Sequence, residues 1–89
     1  MSEVDFIIEN HLKGNSVDLV VGIPSYNEAD NIHFVVRQVA QGLNQYFPHL
    51  DTAIVNIDNH SEDGTKEIFL QTDSSQIPKV YLSTPPGVK

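Results

Sequence analysis

The sequence predicts an α/β fold: a three-layer α/β/α arrangement around a mainly parallel sheet. Three observations predict it. Apolar β-rich runs alternate with helical stripes, in the order α-β-α-β-α-β. Strands that alternate with helices form parallel sheets through right-handed crossovers. Two of the runs end in similar polar loops, one helix apart, which places both loops at one edge of such a sheet. That edge is where open α/β sheets bind ligands.

The elements follow in order. Residues 3–12 carry Val4, Ile7, Ile8 and Leu12 at helical spacing, with Ser2 placed to cap them. Gly14-Asn15-Ser16 breaks that pattern. Residues 18–24 form a β-rich run with little alternation, as in a strand covered on both faces. The next helix is expected from Ala29 or Asp30, on the stripe Ile32, Val35, Val36, Val39, Ala40 and Leu43. Tyr46 or Phe47 closes it, and Pro48 stops it. Glu28 and Asp30 sit at its positive end, where acids are favoured. Residues 52–58 form the second strand, 65–70 a shorter helix and 78–83 the third strand. Asp73 to Gln76 reads as a turn.

Composition bounds the rest. The 89 residues make at most one domain. A chain this short buries only about 60–65% of its unfolded surface, so its stability margin is small. The net charge of −7 argues against nonspecific nucleic-acid binding and against docking on anionic lipid. No cysteine is present, which excludes disulfides and thiolate metal sites. His11, His33 and His49 are scattered without ligand spacing, so no metal site is assigned. No run approaches the roughly 18 apolar residues of a membrane span. The acidic N-terminus lacks the basic region of a signal peptide. The expectation is a soluble cytoplasmic protein.

The first loop contains Pro24-Ser25-Tyr26-Asn27-Glu28. Tyr26 offers an aromatic face for stacking a base, and Asn27 and Glu28 can accept from ligand hydroxyls. Turn chemistry explains the same residues: Pro ends the strand, while Asn and Glu cap the helix. The second loop is Asp58-Asn59-His60-Ser61-Glu62-Asp63-Gly64-Thr65. Asp58 and Asn59 lie where ligands are bound. Asp63, Gly64 and Thr65 read as a turn and cap for the next helix. The chain has no Gly-x-Gly-x-x-Gly, no P-loop lysine and no nucleophile elbow.

Together the two loops resemble those of the family-2-like glycosyltransferases. The first resembles their Pro-x-Tyr-Asn-Glu start, and the second their Asp-Asp-Gly-Ser-x-Asp-Gly-Thr element. The resemblance covers residues 17 to 84. It implies a GT-A, nucleotide-diphospho-sugar transferase fold, with residues 1–89 as one partial domain: its N-terminal, nucleotide-binding half. It implies that Pro24 and Tyr26 contact the base, that Glu28 contacts ribose or base, and that Asp58 and Asn59 fall on the acidic pair that recognises uracil or its equivalent. Two positions depart from the pattern: Asn59 replaces the second acid, and His60 the usual glycine.

The resemblance implies a parent enzyme that transfers sugar from a nucleotide-diphosphate sugar. Its divalent ion, magnesium or manganese, would be held by an Asp-x-Asp that these residues do not contain. No catalytic residue is assigned here, no metal is expected to be held by this fragment, and the 89 residues alone are expected to be inactive. A different reading is a small α/β interaction or nucleotide-binding module, with self-association through an exposed sheet edge. A nucleotidyltransferase fits less well, because residues 24–30 are neither glycine-rich nor basic.

Overall fold

The computed structural model describes residues 17–85. The helix expected over residues 3–12 lies outside them. Strand β1 (Leu19–Ser25), helix α1 (Ile32–Tyr46), strand β2 (Thr52–Asp58), helix α2 (Thr65–Gln71) and strand β3 (Lys79–Ser83) follow in turn. The strands form one sheet in the order β1-β2-β3, and both pairings are parallel. The chain is therefore an α/β unit of the predicted kind, with strand ends within a residue or two of those expected.

Both crossovers step the same way across the sheet, and crossovers of one hand put their helices on one face. Accordingly Ile32, Val36, Ala40 and Leu43 of α1 and Phe69 of α2 form a single core with Ile23 and Ile54 of the sheet. The described residues thus supply two of the three expected layers. Val55, Val80 and Leu82 form a second, smaller cluster on the opposite face. Central β2 buries four residues in succession, Ala53 to Asn56.

Two expectations need correction. β1 is not covered on both faces: it alternates, and Val20, Gly22 and Pro24 are exposed. It sits at the side of the described sheet, with both helices on its other face. Proline is tolerated there because an edge strand need not donate on both sides. Helix α1 also starts later than expected, at Ile32 rather than Ala29 or Asp30. The Glu28 carbonyl accepts from Asn31 N–H at 2.9 Å and Ile32 N–H at 2.7 Å, a tight turn that leads into the helix. Glu28 and Asp30 therefore precede the first turn, which holds no acid.

Helix α2 is short and is held at both ends. Gly64 precedes it at φ 91°, a left-handed conformation that glycine adopts without strain. At its far end Lys79, the first residue of β3, donates from Nζ to the carbonyls of Phe69, Leu70 and Thr72. A lysine there satisfies carbonyls that the helix leaves unpaired and suits the negative end of its dipole. Burial lowers the Lys79 pKa, and Asp73 opposes that shift. No helix among the described residues is long and apolar enough to cross a membrane.

Candidate nucleotide site

Parallel pairing brings the C-terminal ends of the three strands to one edge. Ser25 pairs with Asp58, and Asp58 with Ser83. The ladder continues past the strands: Asn59 N–H donates to the Ser25 carbonyl at 2.8 Å, and Thr84 N–H to the Asp58 carbonyl at 2.9 Å. All five predicted site residues, Pro24, Tyr26, Glu28, Asp58 and Asn59, lie at this edge.

Asp58 is fully buried. Its Oδ1 accepts from the hydroxyls of Ser25 and Ser61, each at 2.6 Å. Its Oδ2 accepts from Ser61 N–H at 2.9 Å and from the Tyr81 hydroxyl at 2.6 Å. Four donors use the lone-pair directions of a carboxylate. Burial pushes the Asp58 pKa up, but these hydrogen bonds together outweigh it and hold the carboxyl below its ordinary range. Tyr81 responds in the opposite sense. Burial, the hydrogen bond to Asp58 and the negative charge of Asp58 raise its pKa to about 12.

The network extends inward. Asn56 is fully buried two residues before Asp58, on the same strand face. Its amide donates to the Ile23 carbonyl at 2.9 Å and to Ser25 Oγ at 2.8 Å. Asn56 Oδ1 has no hydrogen-bond partner among the described residues, and nothing in the structure accounts for that.

Above this base the two loops are tied together. Asn27 N–H donates to Ser61 Oγ at 2.6 Å, Glu28 N–H to Thr65 Oγ1 at 3.0 Å, and Ala29 N–H to Asp63 Oδ2 at 3.1 Å. Glu62 N–H returns a bond to Asn27 Oδ1 at 3.2 Å. Asp63 Oδ1 also accepts from Thr65 N–H at 3.1 Å and from the Thr65 hydroxyl. The Thr65 bond is the main cause of a lowered Asp63 pKa. Asp63 and Thr65 thus have the turn-building role read from the sequence, and they also anchor the first loop. Asn27 at φ 49° and His60 at φ 53° complete the turns in left-handed conformations.

The remaining groups face outward. Tyr26 is 59% exposed, on the rung above Ser25. Pro24 is exposed and Glu28 half-buried. Asn59 is half-buried, and its Oδ1 accepts from the Thr84 hydroxyl at 2.9 Å. The edge also carries Asp30, Glu62 and Asp63 against Lys66, an excess of acid. That charge balance suits the uncharged base and ribose of a nucleotide better than its phosphates.

The residues missed from the sequence are Ser25, Asn56, Ser61, Tyr81 and Thr84. Asn56 gave one sign: a polar residue in an apolar strand, two before Asp58, must share its face. Among the described residues, no three His, Asp or Glu side chains converge to hold a metal ion. A groove lies between helix α1 and the turn before β3. It is about 550 Å³, lined by Arg37, Gln41, Asn44, Asp73 and Ser75 among others, and contains none of the expected site residues.

The family model described as Glycosyl transferase family 2 matches residues 20–85, from β1 to just past β3. No curated protein and no solved structure gave a match.

Proposed function

As the chain belongs to glycosyl transferase family 2, we propose that it binds the nucleotide of a nucleoside-diphosphate sugar at the C-terminal edge of its sheet. The observation that carries this reading is the exposed Tyr26 side chain, at a strand end where the two loops are tied together by hydrogen bonds. Stacking a nucleobase on an aromatic ring contributes about 1–3 kcal/mol. Pro24 adds apolar surface beside the ring. Glu28 is placed for ribose hydroxyls, because a carboxylate accepts from vicinal hydroxyls. Asn59 meets the edge of the base. Asp58 works from beneath, by fixing Ser25, Ser61 and Tyr81.

The chemical task of this part is binding and orientation. It holds the nucleoside so that the diphosphate and sugar project beyond the sheet edge. The 89 residues contain no Asp-x-Asp, and the described acids do not gather into a metal site. The residues present therefore do not fit the divalent ion that the family resemblance implies. We propose that this chain binds the donor nucleotide without transferring sugar.

Calorimetric titration with UDP, GDP, CDP and ADP tests the reading. Saturable binding is expected, weakened about five- to hundredfold in Tyr26→Ala. No binding at millimolar nucleotide, or binding unchanged in Tyr26→Ala, would overturn it.

A further inference from the structure

In many α/β folds phosphate binds at the loop after a strand and the start of the helix that follows. Backbone N–H groups there point at the anion, and glycines let it come close. Residues 24–30 occupy that place here, between β1 and α1, and contain no glycine. Their N–H groups are also engaged. Asn27 N–H donates to Ser61 Oγ, Glu28 N–H to Thr65 Oγ1 and Ala29 N–H to Asp63 Oδ2. Asn31 and Ile32 N–H both donate to the Glu28 carbonyl. Of the six N–H groups from Asn27 to Ile32, only that of Asp30 lacks a partner among the described residues, and Asp30 itself carries a carboxylate.

Asp63 stands out among these acceptors because it is charged. Its Oδ2 accepts from Ala29 N–H at 3.1 Å, and its Oδ1 accepts from Thr65 N–H at 3.1 Å and from the Thr65 hydroxyl. The carboxylate therefore bridges the turn that leads into α1 and the first residue of α2. The Thr65 bond holds its carboxyl below the usual range, so it is ionised at neutral pH. The chain thus supplies its own anion where a phosphate would dock. The same two loops carry Glu28, Asp30 and Glu62. The cation next to them, Lys66, has its ammonium 5.5 Å from the centre of the Tyr81 ring. Of the other described lysines and arginines, Lys79 donates to carbonyls at the far end of α2, and Arg37 lines the groove beside α1.

We propose that this edge binds a nucleotide through its nucleoside alone, with Asp63 holding the place that a phosphate takes in other sheets of this kind. The proposal rests on the nucleotide-site reading above and narrows its ligand class to the uncharged base and ribose. Tying the loops together and rejecting phosphate are then one device. A phosphate on these N–H groups would have to displace Asp63 or lie against it, and like charges in one site repel. A diphosphate held further out meets the acid excess of the loops, a weaker repulsion that salt screens.

The test is to titrate the chain with uridine, cytidine, adenosine and guanosine, each beside its diphosphate, in buffer without divalent cations. The nucleoside that binds best is expected to bind as tightly as its diphosphate, or up to about fivefold more tightly at low salt. The gap should close at about 0.2 M salt. Asp63→Ala frees the Ala29 N–H and removes a negative charge, so the ratio should move about threefold towards the diphosphate. A merely structural role for Asp63 would weaken both ligands alike and leave the ratio unchanged. Thermal melts serve as the folding control, and the comparison within the wild type stands whether or not the variant folds. A diphosphate bound more than about threefold more tightly than its nucleoside by the wild type would overturn the proposal and leave the nucleotide site standing. An unchanged ratio in a folded Asp63→Ala variant would overturn the role of Asp63. Failure of every nucleoside and diphosphate to bind would overturn the nucleotide reading, and this proposal with it.

Discussion

The two loops at the C-terminal edge follow neighbouring strands, yet they are built in opposite ways. The loop after β2 supplies side chains: Ser61, Asp63 and Thr65 all accept hydrogen bonds from the other loop. The loop after β1 supplies mainly backbone N–H groups, with Asn27 Oδ1 accepting one bond in return, and leaves Tyr26 exposed and Glu28 half-buried. One loop is the frame, and the other is the face that the frame holds up. Backbone bonds to side-chain acceptors fix the first loop and leave the Tyr26 side chain unengaged. On the proposed reading, residues that do not touch the nucleotide set the geometry of those that do.

If Asp58 is the keystone of the frame, Asp58→Asn should have the largest effect. It replaces an acceptor by a group with two donors, facing donors already in place. A loss of about 2–4 kcal/mol is expected, read from urea denaturation. In a chain of this size that corresponds to a fall in Tm of about 10 °C or more.

The same carboxylate gives a pH dependence. Its folded pKa is held below the ordinary 3.8, so the folded state binds its proton less readily than the unfolded state. The stability it contributes is complete above the unfolded value and lost as pH falls through the folded one. Urea midpoints should therefore drop steeply below about pH 4. Asp58→Asn should remove this contribution and flatten the curve. Tyr81 acts at the alkaline limit. Its folded pKa is raised from 10.0 to about 12, so its contribution is complete below 10 and lost between the two values.

Thr65→Val should have a smaller effect. The Thr65 hydroxyl is buried, donates to Asp63 and accepts from Glu28 N–H. Its removal should cost about 1–2 kcal/mol and loosen the first loop. Amide exchange at Glu28 and Ala29 should then rise before that of β1. Equal change in both would mean that the two loops are not frame and face.

The smallest effect is expected at His60. At φ 53° a residue with a β-carbon is strained, and glycine is not. His60→Gly should leave stability unchanged or raise it by up to about 1 kcal/mol, after the entropic cost of glycine is offset. The same change at His33, exposed on α1, should lower stability by about 0.5–1 kcal/mol.

The fold was legible because its helices and strands carry one-sided apolar patterns. Stripe positions Ile32, Val36, Ala40 and Leu43 all enter the core. The exposed side of β1 was not legible. An apolar strand reads the same whether its second face is covered or open. The position of Tyr26 and Asn59 at the sheet edge was legible as well, since they follow directly on strand ends. The burial of Asp58 was not. Its donors Ser25 and Tyr81 stand 33 and 23 residues away, on strands that only the sheet register brings alongside. Thr84 was hidden for the same reason. It has no local pattern and gains its place from the rung after β3.

The most direct test of the account is to follow backbone amide resonances of the chain as a nucleoside diphosphate is added. Shifts are expected at Tyr26, Glu28, Asn59 and Thr84, with Gln41, Asn44 and Ser75 in the groove beside α1 unmoved. Shifts centred on that groove, or none at saturating nucleotide, would contradict it.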